Sequence, residues 1–359
     1  MNLNSRYYKI AGIVLLIIIT AAFFKLRDNQ NKRIIQTRDI VQLKSVEKKS
    51  MNPLIDKKFY IDTTRDISKL EQQYTAEGKT QDAALINKVA KQPSAIWLVG
   101  PSESDLAANK DIATVARTSA EAALQQTIPI YIFYAIPRRD ACANYSKGGF
   151  LTPAEYSTWV DTIKDTLVGD AVIILEPDAL AHTDEINCIN PQQRDERYSL
   201  LESTVQKLAE HPKVTAVYID VGNSEWKPNP QELVEPLKKS GIDSARGISV
   251  NIASFVATQN TVVWSQRLVR MIGGNKGVAI DTSRNGKGVP DSTVTGTARW
   301  CNPSGRGIGQ QPTTNVLTPH IDAYIWGKTI GESDGECFGN PPAGVFVPSL
   351  ALELAKNAQ

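Results

Sequence analysis

Seven short apolar runs recur along this chain, and their rhythm constrains the fold more than any other feature. They are "AIWLV" (95–99), "IPIYIFYAI" (128–136), "AVIIL" (171–175), "VTAVYID" (214–220), "GISVNI" (247–252), "GVAID" (277–281) and "IDAYIW" (321–326). Between them lie stretches of helical periodicity such as "DIATVARTSAEAALQQ" and "PAEYSTWVDTIKDTL". Strands that alternate with amphipathic helices form parallel β/α units. Seven in one domain predict an α/β fold: a seven-stranded parallel β/α barrel, distorted and partly open, rather than an open sheet. No G-x-G-x-x-G follows a run and there is no Walker sequence, which lowers the weight of the nucleotide-binding α/β folds.

Carboxylates follow five of the seven runs: Asp140, Glu176 with Asp178, Asp220, Asp281, and Glu332 with Asp334. In a β/α barrel all of these positions face one end, where active sites of this architecture lie. A single acidic residue after a strand is commonly a helix N-cap; the repetition is what points to chemistry. Asp281 has a structural alternative, pairing with nearby Arg284. Aromatic residues also gather at the ends of the runs: Trp97, Tyr134, Trp226, Trp300 and Trp326. Aromatic faces stack on the apolar faces of sugar rings while carboxylates accept from hydroxyls, and paired carboxylates are the machinery of glycoside hydrolysis.

Other chemistries fit less well. The three histidines, His182, His211 and His320, are not spaced as a metal-binding helical pair. There is no G-x-S-x-G elbow. An aspartate cluster holding a divalent cation is a competing reading, as is a catalytically silent glucan-binding protein. A net charge of +2, with Lys and Arg scattered, gives no nucleic-acid footprint.

The N-terminus has its own texture. Arg6 and Lys9 precede the uncharged segment "IAGIVLLIIITAAFF" (10–24). It is short for a spanning helix and suits the core of a signal peptide. Residues 1–24 are therefore expected to be a signal peptide or a signal anchor, 25–50 a polar linker, and 51–359 the catalytic domain. Export predicts a secreted protein, or one anchored in the cytoplasmic membrane through residues 10–24 and facing outward. Four cysteines, Cys142, Cys188, Cys301 and Cys337, lack C-x-x-C spacing and fit disulfides in that compartment. Spacing leaves all three pairings open.

Eight segments together carry a specific resemblance: "NPLIDKKFYID", "AIWLVG", "FYAIPRRDACANYSKGG", "ILEPDALA", "VYIDVGNSEW", "AIDTSRNG", "RWCNPSGRGIG" and "YIWGKTIGESDGE". In this order they resemble glycoside hydrolase family 6, the inverting cellulases, from about Asn52 to the C-terminus. The resemblance implies hydrolysis of β-1,4-glucan with inversion, without metal or cofactor, by a monomer whose partners are the polysaccharide and cellooligosaccharides. It implies Asp178 as general acid and Asp334 as base. Asp140 and Asp220 would support the acid, Tyr134 would favour a distorted sugar, and Ser146 would hold the water. Lys328, Glu332, Arg139 and Asn251 would contact sugar, and Trp97, Trp226 and Trp300 would be stacking platforms. The family's disulfide order implies Cys142–Cys188 and Cys301–Cys337. Two departures stand out: Asn223 occupies a position where the family often has histidine, and "RRDACANYS" has one residue more than the commoner form. Little chain follows Asp334 before Cys337, so the expected site is an open cleft and the expected action is endo; a cellobiohydrolase of the same family is the alternative.

Overall fold

The computed structural model describes residues 52–101, 106–140, 145–184 and 188–358, together with Lys25, Arg27 and Gln30. The expected leader at 1–24 and nearly all of the linker lie outside the described residues, as does Cys142. The chain divides into one unit at Met1–Asn52 and another at Pro53–Gln359, and it is the second whose fold follows. Among the described residues no helix is long and apolar enough to cross a membrane.

Each of the seven runs supplies one strand: β1 Ile96–Leu98, β2 Ile130–Phe133, β3 Ala171–Leu175, β4 Val214–Asp220, β5 Gly247–Val250, β6 Gly277–Asp281 and β7 Ile321–Ile325. All pair in parallel and in sequence order. Helices α1 Asp66–Ala76 and α2 Thr80–Ala90 precede β1. The crossovers are α3 Leu106–Leu124, α4 Pro153–Thr166, α5 Pro191–Ala209, α6 Val234–Lys239 and α7 Thr258–Ile272, and α8 Pro348–Lys356 closes the chain. Local chemistry sets several starts. Thr152 with Glu155, and Asn190 with Gln193, form capping boxes ahead of Pro153 and Pro191, which satisfies orphan amides and supplies the preset φ of a first helical turn.

The strands alternate with period two, and both faces are apolar. Ile130, Ile132, Val172, Ile174, Ala216, Tyr218, Ala279, Ala323 and Ile325 fill the barrel interior. Their neighbours Tyr131, Phe133, Ile173, Leu175, Val217, Ile219, Val278 and Ile280 pack outward with the helices. Among the described residues the ring does not close by a ladder. Between β7 and β1 it is bridged by the backbone bond from Ala95 N–H to Trp326 O at 2.8 Å. Trp326, grouped by sequence with the strand-end aromatics, is instead core. It is buried with Ile330 among α1, α2 and α8, and its Nε1 donates to Gln310 O at 3.0 Å.

One crossover breaks the rhythm. From β6 to β7 the described chain has only a short 3₁₀ turn, Gly296–Arg299, and otherwise irregular backbone. That segment carries Trp300 and Cys301, and the Cys301–Cys337 disulfide ties it to the loop after β7, as the family resemblance implied. Cys188 is also disulfide-bonded; its expected partner lies outside the described residues.

Candidate active site

At the carboxyl ends of β2, β3 and β5 the chain turns sharply on residues other than glycine. Arg138 (φ 60°), Asp140 (φ 50°), Glu176 (φ 49°), Asp178 (φ 69°), Asn251 (φ 69°) and Ala253 (φ 55°) are all left-handed. Each such residue costs of order 1–3 kcal/mol and persists only where its surroundings over-determine it. Here buried side chains do so by gripping backbone amides. Glu176, 1% exposed, accepts from Ala135 N–H at 3.0 Å and Ile136 N–H at 3.0 Å. This takes β2 out of its ladder after Phe133, three residues before its apolar run ends. Asp220 accepts from Asp178 N–H at 3.2 Å, Gly222 N–H at 2.9 Å and Ser249 Oγ at 3.1 Å. Asp281 accepts from Ala253, Ser283 and Lys328 N–H groups.

Above these anchors lies a cleft of about 630 Å³. Its walls include Asp140, Asp178 and Asp334, with Tyr134 and Ser146. Trp97, Trp226 and Trp300 line it too, as do Arg139, Lys328 and Glu332. Eleven of the thirteen side chains expected at the site are thus brought together. The other two lie beneath the surface. Asp220 is 1% exposed and holds the backbone of Asp178 rather than facing the cavity. Asn251 is fully buried, its amide spent on Val256 and on the carbonyl of Asp281; the structure gives it a turn to hold, not a sugar.

The two central carboxyls sit in opposite electrostatic surroundings. Burial pushes Asp178 up to about 6; Asp140 adds to the rise, while His182 and the Tyr134 hydroxyl, 3.5 Å away, oppose it. Burial also raises Asp220 well above the carboxylate range, with Asp178 reinforcing it. At Asp334 burial is outweighed by two cations, and its pKa is lowered. Arg284 Nη1 lies 2.8 Å from Oδ2 and Lys328 Nζ 3.4 Å from Oδ1. Asn302 and Asp334 also exchange bonds, N–H to Oδ2 at 3.0 Å and N–H to Oδ1 at 2.9 Å. Arg284, expected beside Asp281, is therefore the partner of Asp334 instead. Proximity in sequence suggested the first pairing, and only the packing of β6 beside β7 produces the second.

The aromatic platforms are held as firmly. Trp97 Nε1 donates to Gly327 O at 2.7 Å and its ring meets Tyr134 edge-on at 5.3 Å. The Arg139 guanidinium stacks 4.6 Å above Tyr134 while its Nε holds Ser146 O at 2.8 Å, and Asp140 accepts Ser146 N–H at 2.6 Å. Asn223, in place of the family's frequent histidine, accepts from Glu225 and Trp226 N–H groups and so fixes the turn that presents Trp226. Gly222 (φ 70°) is needed beside it, because a Cβ would meet the Trp226 ring at 2.9 Å. A histidine does reach this wall, from the other loop: His182 lies 5.1 Å from Trp226, ring to ring. Sequence reading had not assigned His182, Tyr145 or Phe255 to the site, and all three line the cleft.

The chain is similar to known proteins over most of its length. The sequence model of the family described as "Glycosyl hydrolases family 6" matches residues 54–358. Endoglucanase A of Cellulomonas fimi is 35% identical over 301 residues, which are 84% of this chain and 61% of that protein; the chain thus spans less than two thirds of that relative's length. A 1,4-beta-D-glucan cellobiohydrolase C of Emericella nidulans is 29% identical over 286 residues, covering 68% of this chain and 61% of its own. Among solved structures, an endoglucanase of Mycobacterium tuberculosis in complex with methyl-cellobiosyl-4-deoxy-4-thio-β-D-cellobioside superposes with a TM-score of 0.75 at 36% identity, over 85% of this chain and 99% of that one.

Proposed function

This chain belongs to glycoside hydrolase family 6, and from that premise we propose that it hydrolyses internal β-1,4-glucosidic bonds of cellulose or a related β-glucan with inversion. The observation that carries the reading is the electrostatic division of one cleft: Asp178 pushed up to about 6 and Asp334 held low. Asp178, protonated, gives its proton to the glycosidic oxygen as the C1–O bond breaks. A water on the opposite face of the ring attacks C1, and its proton passes to the ionised Asp334. Single displacement of this kind needs the two carboxyls roughly 6.5–9.5 Å apart, with a water between. Trp97, Trp226 and Trp300 give flat faces for successive sugars, and Arg139, Lys328 and Glu332 supply polar contacts. The disulfides fit the oxidising compartment that the N-terminal apolar run implies, so the domain acts outside the cell, secreted or anchored facing outward.

Endo action is supported by the short chain after Asp334, where Gly335 and Glu336 alone precede the disulfide at Cys337. One contact favours the second reading, a cellobiohydrolase. Tyr145, on the loop after β2, meets Trp300 at 4.8 Å and approaches Thr297 Oγ1 at 3.3 Å, joining two loops at the mouth of the cleft. Viscosity and reducing ends of carboxymethylcellulose, followed together in the presence of a chelator, separate the readings. Endo action drops viscosity early for few ends released. Slow viscosity loss with cellobiose dominant from the start supports the covered site, and loss of all activity to the chelator supports a metal-dependent enzyme.

A further inference from the structure

We infer that Arg197, on the outer helix α5, is a positioning residue that fixes the spacing of Asp178 and Asp140 by tying their two turns to one buried guanidinium. The inference rests on the acid–base reading above. Arg197 is 6% exposed, and its contacts are divided between the two catalytic loops. Nη1 donates to Ala179 O at 3.0 Å, one residue beyond the acid; Nη2 donates to Arg138 O at 2.9 Å, two residues before Asp140.

Both segments need such a tie. Arg138, Asp140 and Asp178 are all left-handed, and neither loop is a helix or strand that would hold itself. A guanidinium presents its N–H groups in a rigid planar fork, so two carbonyls bound to it keep a set separation; a lysine ammonium imposes no such geometry. The second link between α5 and this loop is the pair Glu196–Arg138, with side chains 43% and 35% exposed, and an exposed pair holds little. Burying a cation against neutral carbonyls is expensive. Burial lowers the Arg197 pKa to about 10, opposed mainly by Glu176. Packing alone would be served better by an apolar side chain.

The consequence falls on the acid. The groups that face Asp178 are Asp140, Tyr134 and His182, with Asp220 beneath its backbone. Of these, Asp140 is on the loop that Arg197 holds, and Asp140 helps to keep Asp178 protonated. When the tie is lost, Asp140 moves away and the acid is less deeply buried. Both changes lower its pKa, so the limb of kcat/KM that falls with rising pH shifts toward acid.

The experiment compares Arg197→Ala and Arg197→Lys with the parent on a soluble cellooligosaccharide, measuring kcat, KM, the pH profile and thermal stability. Arg197→Ala is expected to lose about tenfold or more in kcat with KM within about threefold of the parent. Its descending pH limb moves to lower pH, and low, non-denaturing guanidinium restores part of the rate. Arg197→Lys falls between, with the same direction of pH shift. A folded variant with parental kcat and an unmoved limb overturns the inference. So does a loss that follows melting temperature alone, with no guanidinium rescue and no change in pH profile. If Arg197→Ala does not fold, the kcat and pH limb of Arg197→Lys decide the matter. The parent's own hydrolysis, measured in parallel, tests the acid–base reading separately.

Discussion

A free aspartate ionises at about pH 4, and the cleft moves two of them in opposite directions from that value. Asp178 loses hydration to a carboxyl-rich wall, whereas Asp334 loses it to a pair of cations. The sign of each shift sets the activity profile. In the proposed mechanism Asp178 works protonated, so kcat/KM should fall as pH rises through about 6. In the same proposal Asp334 works ionised, and its pKa is lowered, so the acid-side fall should come below the ordinary carboxyl range. Asp178→Asn should lose about 10²–10⁴-fold in release of reducing ends from unactivated glucan while remaining folded; activity within tenfold of the parent would remove the acid assignment. Arg284→Met tests the other side. Lys328 alone then faces Asp334, its pKa rises, and the acid limb should move up in pH. Breaking a buried pair of this kind should also cost about 3–5 kcal/mol, read by denaturant unfolding. An unmoved acid limb would mean that Asp334 is not the titrating base. The place of Asp178 in the cleft was legible, because carboxylates recur after the apolar runs and a barrel turns those ends to one side; its role as the acid comes from the family resemblance. The Arg284–Asp334 pair was not, since its members lie fifty positions apart. The same holds for Asn251, whose partners become visible only when β5 and β6 lie side by side.

Elements were more readable than contacts, for a physical reason. In a barrel each strand is buried on both faces, so all seven appeared as continuous apolar runs. Strand ends were less readable. β2 stops at Phe133 because Glu176, on the next strand's turn, takes the amides of Ala135 and Ile136, a tertiary event with no local signal. The connection from β6 to β7 is likewise set by what it holds rather than by helix propensity. Its disulfide, Cys301–Cys337, brackets the exchange between Asn302 and Asp334, and closes a loop with a sequence separation of 36. Chain entropy gives such a closure about 4 kcal/mol. Cys301→Ser with Cys337→Ser should therefore lower the melting temperature and reduce kcat together, because Asp334, the proposed base, loses part of its support. A variant equally stable and equally active would show that the hydrogen bonds suffice without the covalent tie.

At the scale of the molecule, a partly open barrel turns one end of its sheet into a cleft, and different strand ends bring Asp178 and Asp334 to it. The proposed acid, Asp178, and the carboxylates near it come from the ends of β2, β3 and β4; the proposed base, Asp334, and its cations come from β6, β7 and the loops that follow them. That division is what the proposed single displacement requires, since a water rather than a carboxylate must then attack C1. The configuration of the first product reads it directly. Proton NMR during early hydrolysis of a β-linked cellooligosaccharide should show the α-anomer forming first, with the β-anomer growing in only by mutarotation. A β-anomer present from the earliest spectra would mean two displacements through a glycosyl-enzyme, and would contradict the roles given to Asp178 and Asp334.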